Sequence, residues 1–219
     1  MTRTPVDNHE AGDLAAEGVE PGGPAAEGVE PGGFEAEGVE PGGFEAGEFG
    51  AGELEAGGFE DLLAANAEYA KSFAYSGFDG IAHAGIGVVT CMDSRIPPLE
   101  MLGLKPGDAK VLRSAGGRVT EITMTGLVLG VQLLGVRRIM VIPHTRCAMA
   151  AMSEDEMRAK VERAAGKPAG YLPLAVIPDQ LKALRRDVAA VREHPLIGDD
   201  ILVGGFMYDV DTGRLTQIT

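Results

Sequence analysis

The chain has 219 residues, 33 acidic and 19 basic, for a formal net charge of −14. The first 60 residues hold fifteen Asp and Glu against Arg3 alone, while the remainder carries eighteen of each sign. Bulk acidity therefore says nothing about a folded surface, and any electrostatic argument about partners concerns the tail. Two cysteines are too few for a disulfide framework, no basic-then-apolar leader opens the chain, and every apolar run falls short of the roughly 18 residues that cross a bilayer. A cytoplasmic protein with reduced thiols, no membrane contact and no nucleic-acid partner is expected.

The N-terminal segment repeats with a period of ten, as AAEGVEPGGP, AAEGVEPGGF and EAEGVEPGGF, before decaying. Each unit offers a valine and at most one phenylalanine, with Pro-Gly-Gly as a breaker, too little apolar surface to offset the entropy of ordering ten residues. Residues 1–60 are expected to form a disordered acidic arm, a solubilising linker before a folded domain over 61–219.

Within that domain, helix and strand signals alternate. DLLAANAEYAKSF places Leu62, Ala65, Tyr69 and Phe73 at helical spacing, an amphipathic helix that would dock on the domain or on a second subunit. IGVVTC is a β-branched run expected to be buried on both faces. PPLEMLGL reads as a short helix opened by proline, and AKVLRSAGG as a strand ending on paired glycines. TEITMTGLVLGVQLLG, with few charges, reads as a deeply packed helix. RRIMVIPH is a third strand. SEDEMRAKVERAAG carries a Ser153–Glu156 capping pair and a Gly166 stop. PDQLKALRRDVAAVREHP is a further amphipathic helix, and DILVGGFMYDV with RLTQIT closes the chain as a strand and its hairpin partner. The succession predicts an α/β fold, a mostly parallel central sheet flanked by helices, with ligands gathering at the carboxyl ends of the strands.

Cys91 and His144 each fall just after a strand there, and Cys147 follows three residues later. Two thiolates and an imidazole suit Zn²⁺ and leave a fourth tetrahedral position, for which Asp93 is the candidate. Cys147, if it opens a helix, would have its thiolate favoured by the dipole. Arg95, two residues beyond Asp93, points the same way on an extended chain and competes with the metal for that carboxylate. When Arg95 holds it, the metal has an open site for water.

CMDSR, GDAKVLRSAGG and HTRCAM, in that order, resemble the β-class carbonic anhydrases, particularly the short bacterial kind, and the resemblance runs from about Asn66 to the final GFMYDVDTGRL. It implies one zinc per chain on Cys91, His144 and Cys147. It also implies an Asp93–Arg95 catalytic dyad, with Asp93 a fourth ligand when the site is closed, and a hydroxide on the metal that attacks carbon dioxide to give bicarbonate. Activity would then climb above neutral pH. A homodimer or a dimer of dimers is implied too. Ala148 and Ser114 stand where many relatives carry glycine and asparagine, and the active-site glutamine of plant-type members has no match.

Other readings of the same residues are a buried core cysteine, a 91–147 disulfide, and a closed structural zinc site with the acidic arm recruiting a basic partner. A hydrolase acting on an analogue such as carbon disulfide would use the same scaffold. His83 and His194 read as surface residues, Met92, Met124 and Met140 as packing, Arg137 and Arg138 as a solvated strand entrance. Gly116 and Gly117 read as a tight turn near the metal.

Overall fold

In the computed structural model, residues 58–219 are described, so the acidic repeat lies outside the described residues. Helix α1 spans Glu60–Lys71 and strand β1 Ile86–Cys91; β2 is Ala109–Ser114 and α2 Glu121–Leu133. They are followed by β3 (Arg138–Ile142), α3 (Glu154–Ala165), α4 (Gln180–Arg192), β4 (Leu202–Tyr208) and β5 (Leu215–Gln217). The strands form one sheet in the order β2-β1-β3-β4-β5. The first four are parallel, and β5 returns antiparallel to β4.

All six residues of β1 are buried, as a central parallel strand requires. Alternate residues feed two cores. Val89, Ile139 and Val141 pack with Leu127 and Val131 of α2 and with Leu184, Val188 and Val191 of α4. Val88 and Ile142 face the other way, toward Ile96, Tyr208 and the two cysteines. Full burial of each such aliphatic side chain contributes about 1.5–3 kcal/mol.

The chain leaves β1 for β2 on one side and then crosses to β3 on the other. That reversal places a topological switch point between the carboxyl ends of β1 and β3, where an open parallel sheet forms its crevice. The capping box of Ser153 and Glu156 and the left-handed Gly166 bound α3 as the sequence indicates.

Three local expectations are corrected, and of the two docking sites expected for α1 its own domain is excluded. PPLEMLGL makes only a 3-10 turn over Glu100–Leu102, stopped by Gly103 in the left-handed region. Helix α1 buries none of its residues against the chain. The apolar sequence of α2 is only half covered, with Thr123, Leu127, Gly130 and Val131 buried and Ile122, Leu129 and Leu133 exposed. Met92 is exposed, whereas Met124 and Met140 do pack against the cores. None of the described helices is long and apolar enough to cross a membrane.

Candidate metal centre

Strand register assembles the centre. Cys91 ends β1 opposite Ser114 of β2, and β3 runs beside β1 as far as Ile142. Two residues further on, His144 bridges to Tyr208 of β4. The Sγ atoms of Cys91 and Cys147 and a ring nitrogen of His144 lie within 4.8 Å of one another, all three residues buried.

His144 is the informative member. Its Nδ1 is 2.8 Å from the Thr145 carbonyl oxygen, which can only accept, so Nδ1 carries the proton and Nε2 presents a lone pair. That Nε2 is fully buried with no hydrogen-bond partner. An orphaned buried nitrogen costs about 1–3 kcal/mol, and a cation between it and two sulfurs would remove the penalty. The sulfurs are prepared as well. Cys91 and Cys147 lie against each other, with the His144 ring and the backbone N–H groups of Asp93 and Gly116 facing the Cys91 sulfur and the Met149 N–H facing that of Cys147. The shared contact pulls the Cys91 thiol well down and pushes Cys147 up, so the pair gives up its first proton readily and its second with difficulty. Both cysteines are free thiols. The donor set fits zinc.

The paired glycines act where expected. Gly116 and Gly117 have φ of 76° and 68°. A Cβ on Gly117 would stand 3.1 Å from both the Cys91 nitrogen and the Ile142 oxygen, so only glycine lets this turn lie against the ends of β1 and β3. Ser114 closes the turn by donating to the Arg118 carbonyl at 2.8 Å.

Asp93 is held by Arg95 through both oxygens, Nε to Oδ1 at 2.9 Å and Nη2 to Oδ2 at 2.8 Å, with the Arg95 N–H also donating to Oδ1. Arg95 keeps the carboxyl far below the usual carboxylate range. Oδ2 is 3.7 Å from His144 Nε2, near the three donors but turned to the guanidinium. Three buried donors that could hold a metal thus stand together, with a carboxylate engaged by an arginine beside them.

Several residues support the site in roles that the motifs alone do not announce. Arg113 donates to the carbonyls of Cys91, Asp93 and Ile96, at 2.8, 3.2 and 2.7 Å, and fixes the backbone that bears ligand and carboxylate. Gln180 of α4 donates to the His144 carbonyl at 3.0 Å. Asp187, also on α4, takes a bidentate pair from Arg118 at 2.5 and 2.7 Å and the N–H of Val119. The β4–β5 hairpin grips the His144–Cys147 loop, as Val210 N–H donates to Thr145 Oγ1 and Thr145 N–H to the Tyr208 carbonyl.

Cys147 does not open a helix. It precedes a 3-10 turn of three residues, Ala148–Ala150, and α3 starts only at Glu154, so no helix dipole serves it. The backbone N–H of Met149 takes that part. His83 is exposed and paired with Asp79, His194 is half-buried, and neither joins the cluster. Arg137 and Arg138 are exposed, with side chains that reach carbonyls at the start of the sheet.

Comparison with known proteins agrees with this geometry. A family model described as Carbonic anhydrase matches residues 86–167. Beta-carbonic anhydrase 1 of Mycobacterium tuberculosis is 32% identical over 164 residues, 73% of this chain and 97% of its own length. A carbonic anhydrase crystal structure from Streptococcus mutans superposes with a TM-score of 0.67 at 35% identity, covering 74% of this chain and 97% of that one. A carbon disulfide hydrolase of Acidithiobacillus thiooxidans is 29% identical over 65% of this chain and 76% of its own.

Proposed function

Because the chain belongs to the β-carbonic anhydrase family and is an enzyme of the carbonic anhydrase kind, we propose that it catalyses the reversible hydration of carbon dioxide on a zinc ion held by Cys91, His144 and Cys147. The observation that carries this reading is the convergence of three buried donors beside a carboxylate engaged by an arginine. A structural zinc site uses four protein ligands, whereas a catalytic one keeps a position open.

Bound there, zinc would supply Lewis acidity, the means of making water a nucleophile near neutral pH. Everything else falls to the chain. Arg113 and the Gly116–Gly117 turn hold Cys91 in place, Gln180 and Thr145 hold His144, and Nδ1 keeps the tautomer that frees Nε2. Asp93, ionised throughout the working range, accepts a hydrogen bond from the reacting water and orients it toward carbon dioxide. Arg95 keeps that carboxylate at hydrogen-bonding distance instead of on the metal. The reaction joins the water oxygen to the carbon of carbon dioxide and releases one proton to solvent.

The chain works as at least a dimer. A second copy would cover Leu62, Leu63 and Tyr69 of α1 and Ile122, Leu129 and Leu133 of α2, which are all exposed on the single chain. The reduced thiol pair suits a cytoplasmic setting.

The substrate is tested by offering carbon dioxide and carbon disulfide to the same zinc-loaded preparation. Hydration of carbon dioxide without hydrogen sulfide release from carbon disulfide supports the reading, and the reverse pattern overturns it.

A further inference from the structure

Arg146, between His144 and Cys147, is the one non-glycine residue with positive φ among the described residues, at 53°. That backbone conformation turns its carbonyl toward Arg95, whose Nη2 donates to it at 3.3 Å while also holding Asp93. Its guanidinium reaches the other way and pairs with Asp211 of the β4–β5 hairpin. Asp211 is in turn fixed by its own N–H, which donates to Asp209 Oδ1 at 2.8 Å. Four charges thus alternate along the rim of the site: Asp93, Arg95, Asp211, Arg146. Asp211 is close enough to Arg95 for its charge to favour the protonated guanidinium. Arg95 thus holds Asp93 directly and has Asp211 within electrostatic range, and Asp211 is engaged by the Arg146 guanidinium.

We propose that Arg146 is a positioning residue that keeps Arg95 on Asp93: its guanidinium occupies Asp211, its carbonyl anchors Arg95, and the fourth position on the metal stays open as a result. The inference rests on the dyad reading given above. Without Arg146, Asp211 becomes an uncompensated carboxylate beside Arg95 and draws the guanidinium toward itself, and Asp93 is released to close the metal site. An exogenous anion that needs the fourth position then binds more weakly, in proportion to the fraction of molecules left open.

The test uses full-length protein loaded with cobalt(II) and titrated with azide, which is read by the visible spectrum. Arg146→Ala is expected to weaken azide by about tenfold or more. Asp211→Ala alone is expected to leave the affinity unchanged, and the Arg146→Ala/Asp211→Ala double variant to regain it. Arg146→Lys keeps the cation and should behave like the parent. Metal content and thermal midpoint, measured on each variant, identify any that fails to fold. Unchanged azide affinity in Arg146→Ala overturns the proposal. So does a double variant as weak as the single, since that is the signature of a loop merely disrupted. A parent protein that takes up metal but neither binds azide nor turns over carbon dioxide would instead overturn the enzyme reading itself.

Discussion

Arg95 holds both oxygens of Asp93, at 2.9 and 2.8 Å, while the unpartnered Nε2 of His144 stands 3.7 Å from one of them. On the proposed reading, the carboxylate is near enough to reach a metal in the cluster and the guanidinium keeps it from doing so. Removing the guanidinium should convert an open site to a closed one. Arg95→Ala is expected to keep one zinc per chain and lose activity. Asp93→Ala should also keep its zinc, and lose about 10²-fold or more in kcat/KM, the scale of a positioned proton acceptor. Zinc quantified alongside turnover separates these outcomes from loss of metal.

The same pair has a signature in stability against pH. Arg95 depresses the folded-state value of Asp93 below its unfolded value. A depressed carboxyl contributes stability that is present above the unfolded value, near 4, and is lost as pH falls below it. Asp93→Asn should be less stable than the parent at pH 7, by no more than about 1 kcal/mol because the pair is partly exposed. The gap should begin to narrow as pH falls below about 4, so that it is smaller at pH 3 than at pH 7, and close only below the depressed folded-state value. Urea unfolding at pH 7 and pH 3 checks it.

Metal uptake should release few protons. With a thiol pair that gives up its first proton readily and its second with difficulty, zinc binding at pH 6.5 is expected to release about one proton from the cysteines. Calorimetry in two buffers of different ionisation enthalpy gives the number. Two protons would mean that the thiols titrate independently.

Asp187 is buried at 4% exposure and compensates Arg118, which has little access to water. Asp187→Ala leaves that guanidinium and the Val119 N–H without a partner. A loss of about 3–5 kcal/mol is expected in urea unfolding, together with weaker zinc retention, because the pair ties α4 to the strand-end turn beside Cys91.

The exposed faces of α1 and α2 bear on assembly. Light scattering should give at least twice the chain mass, and Leu133→Glu, at a position 67% exposed in the single chain, should lower it. A monomeric parent would contradict the dimer.

What the sequence made legible follows from local physics. β1 and β3 could be read as strands because a strand buried on both faces needs an unbroken apolar run, and the cysteines and histidine stood out where those runs stop. The Ser153 and Gly166 boundaries of α3 are local signals as well. The supporting layer was not legible. Arg113 serves backbone carbonyls, which leave no mark on residue identity, and the Arg118–Asp187 pair spans 69 positions. The composition of α2 was legible but its cover was not, since an apolar helix looks the same whether its own chain or another buries it. The short turn after Cys147 escaped because a helix signal sits only a few residues beyond, at Ser153.

The most direct test of the central claim is stopped-flow hydration of carbon dioxide by zinc-quantified protein at pH 7 and pH 8.5, with Asp93→Ala alongside. Turnover that rises between the two pH values and collapses in the variant is the expected result. One zinc per chain with no turnover at either pH would contradict the enzyme reading and leave a structural metal centre in its place.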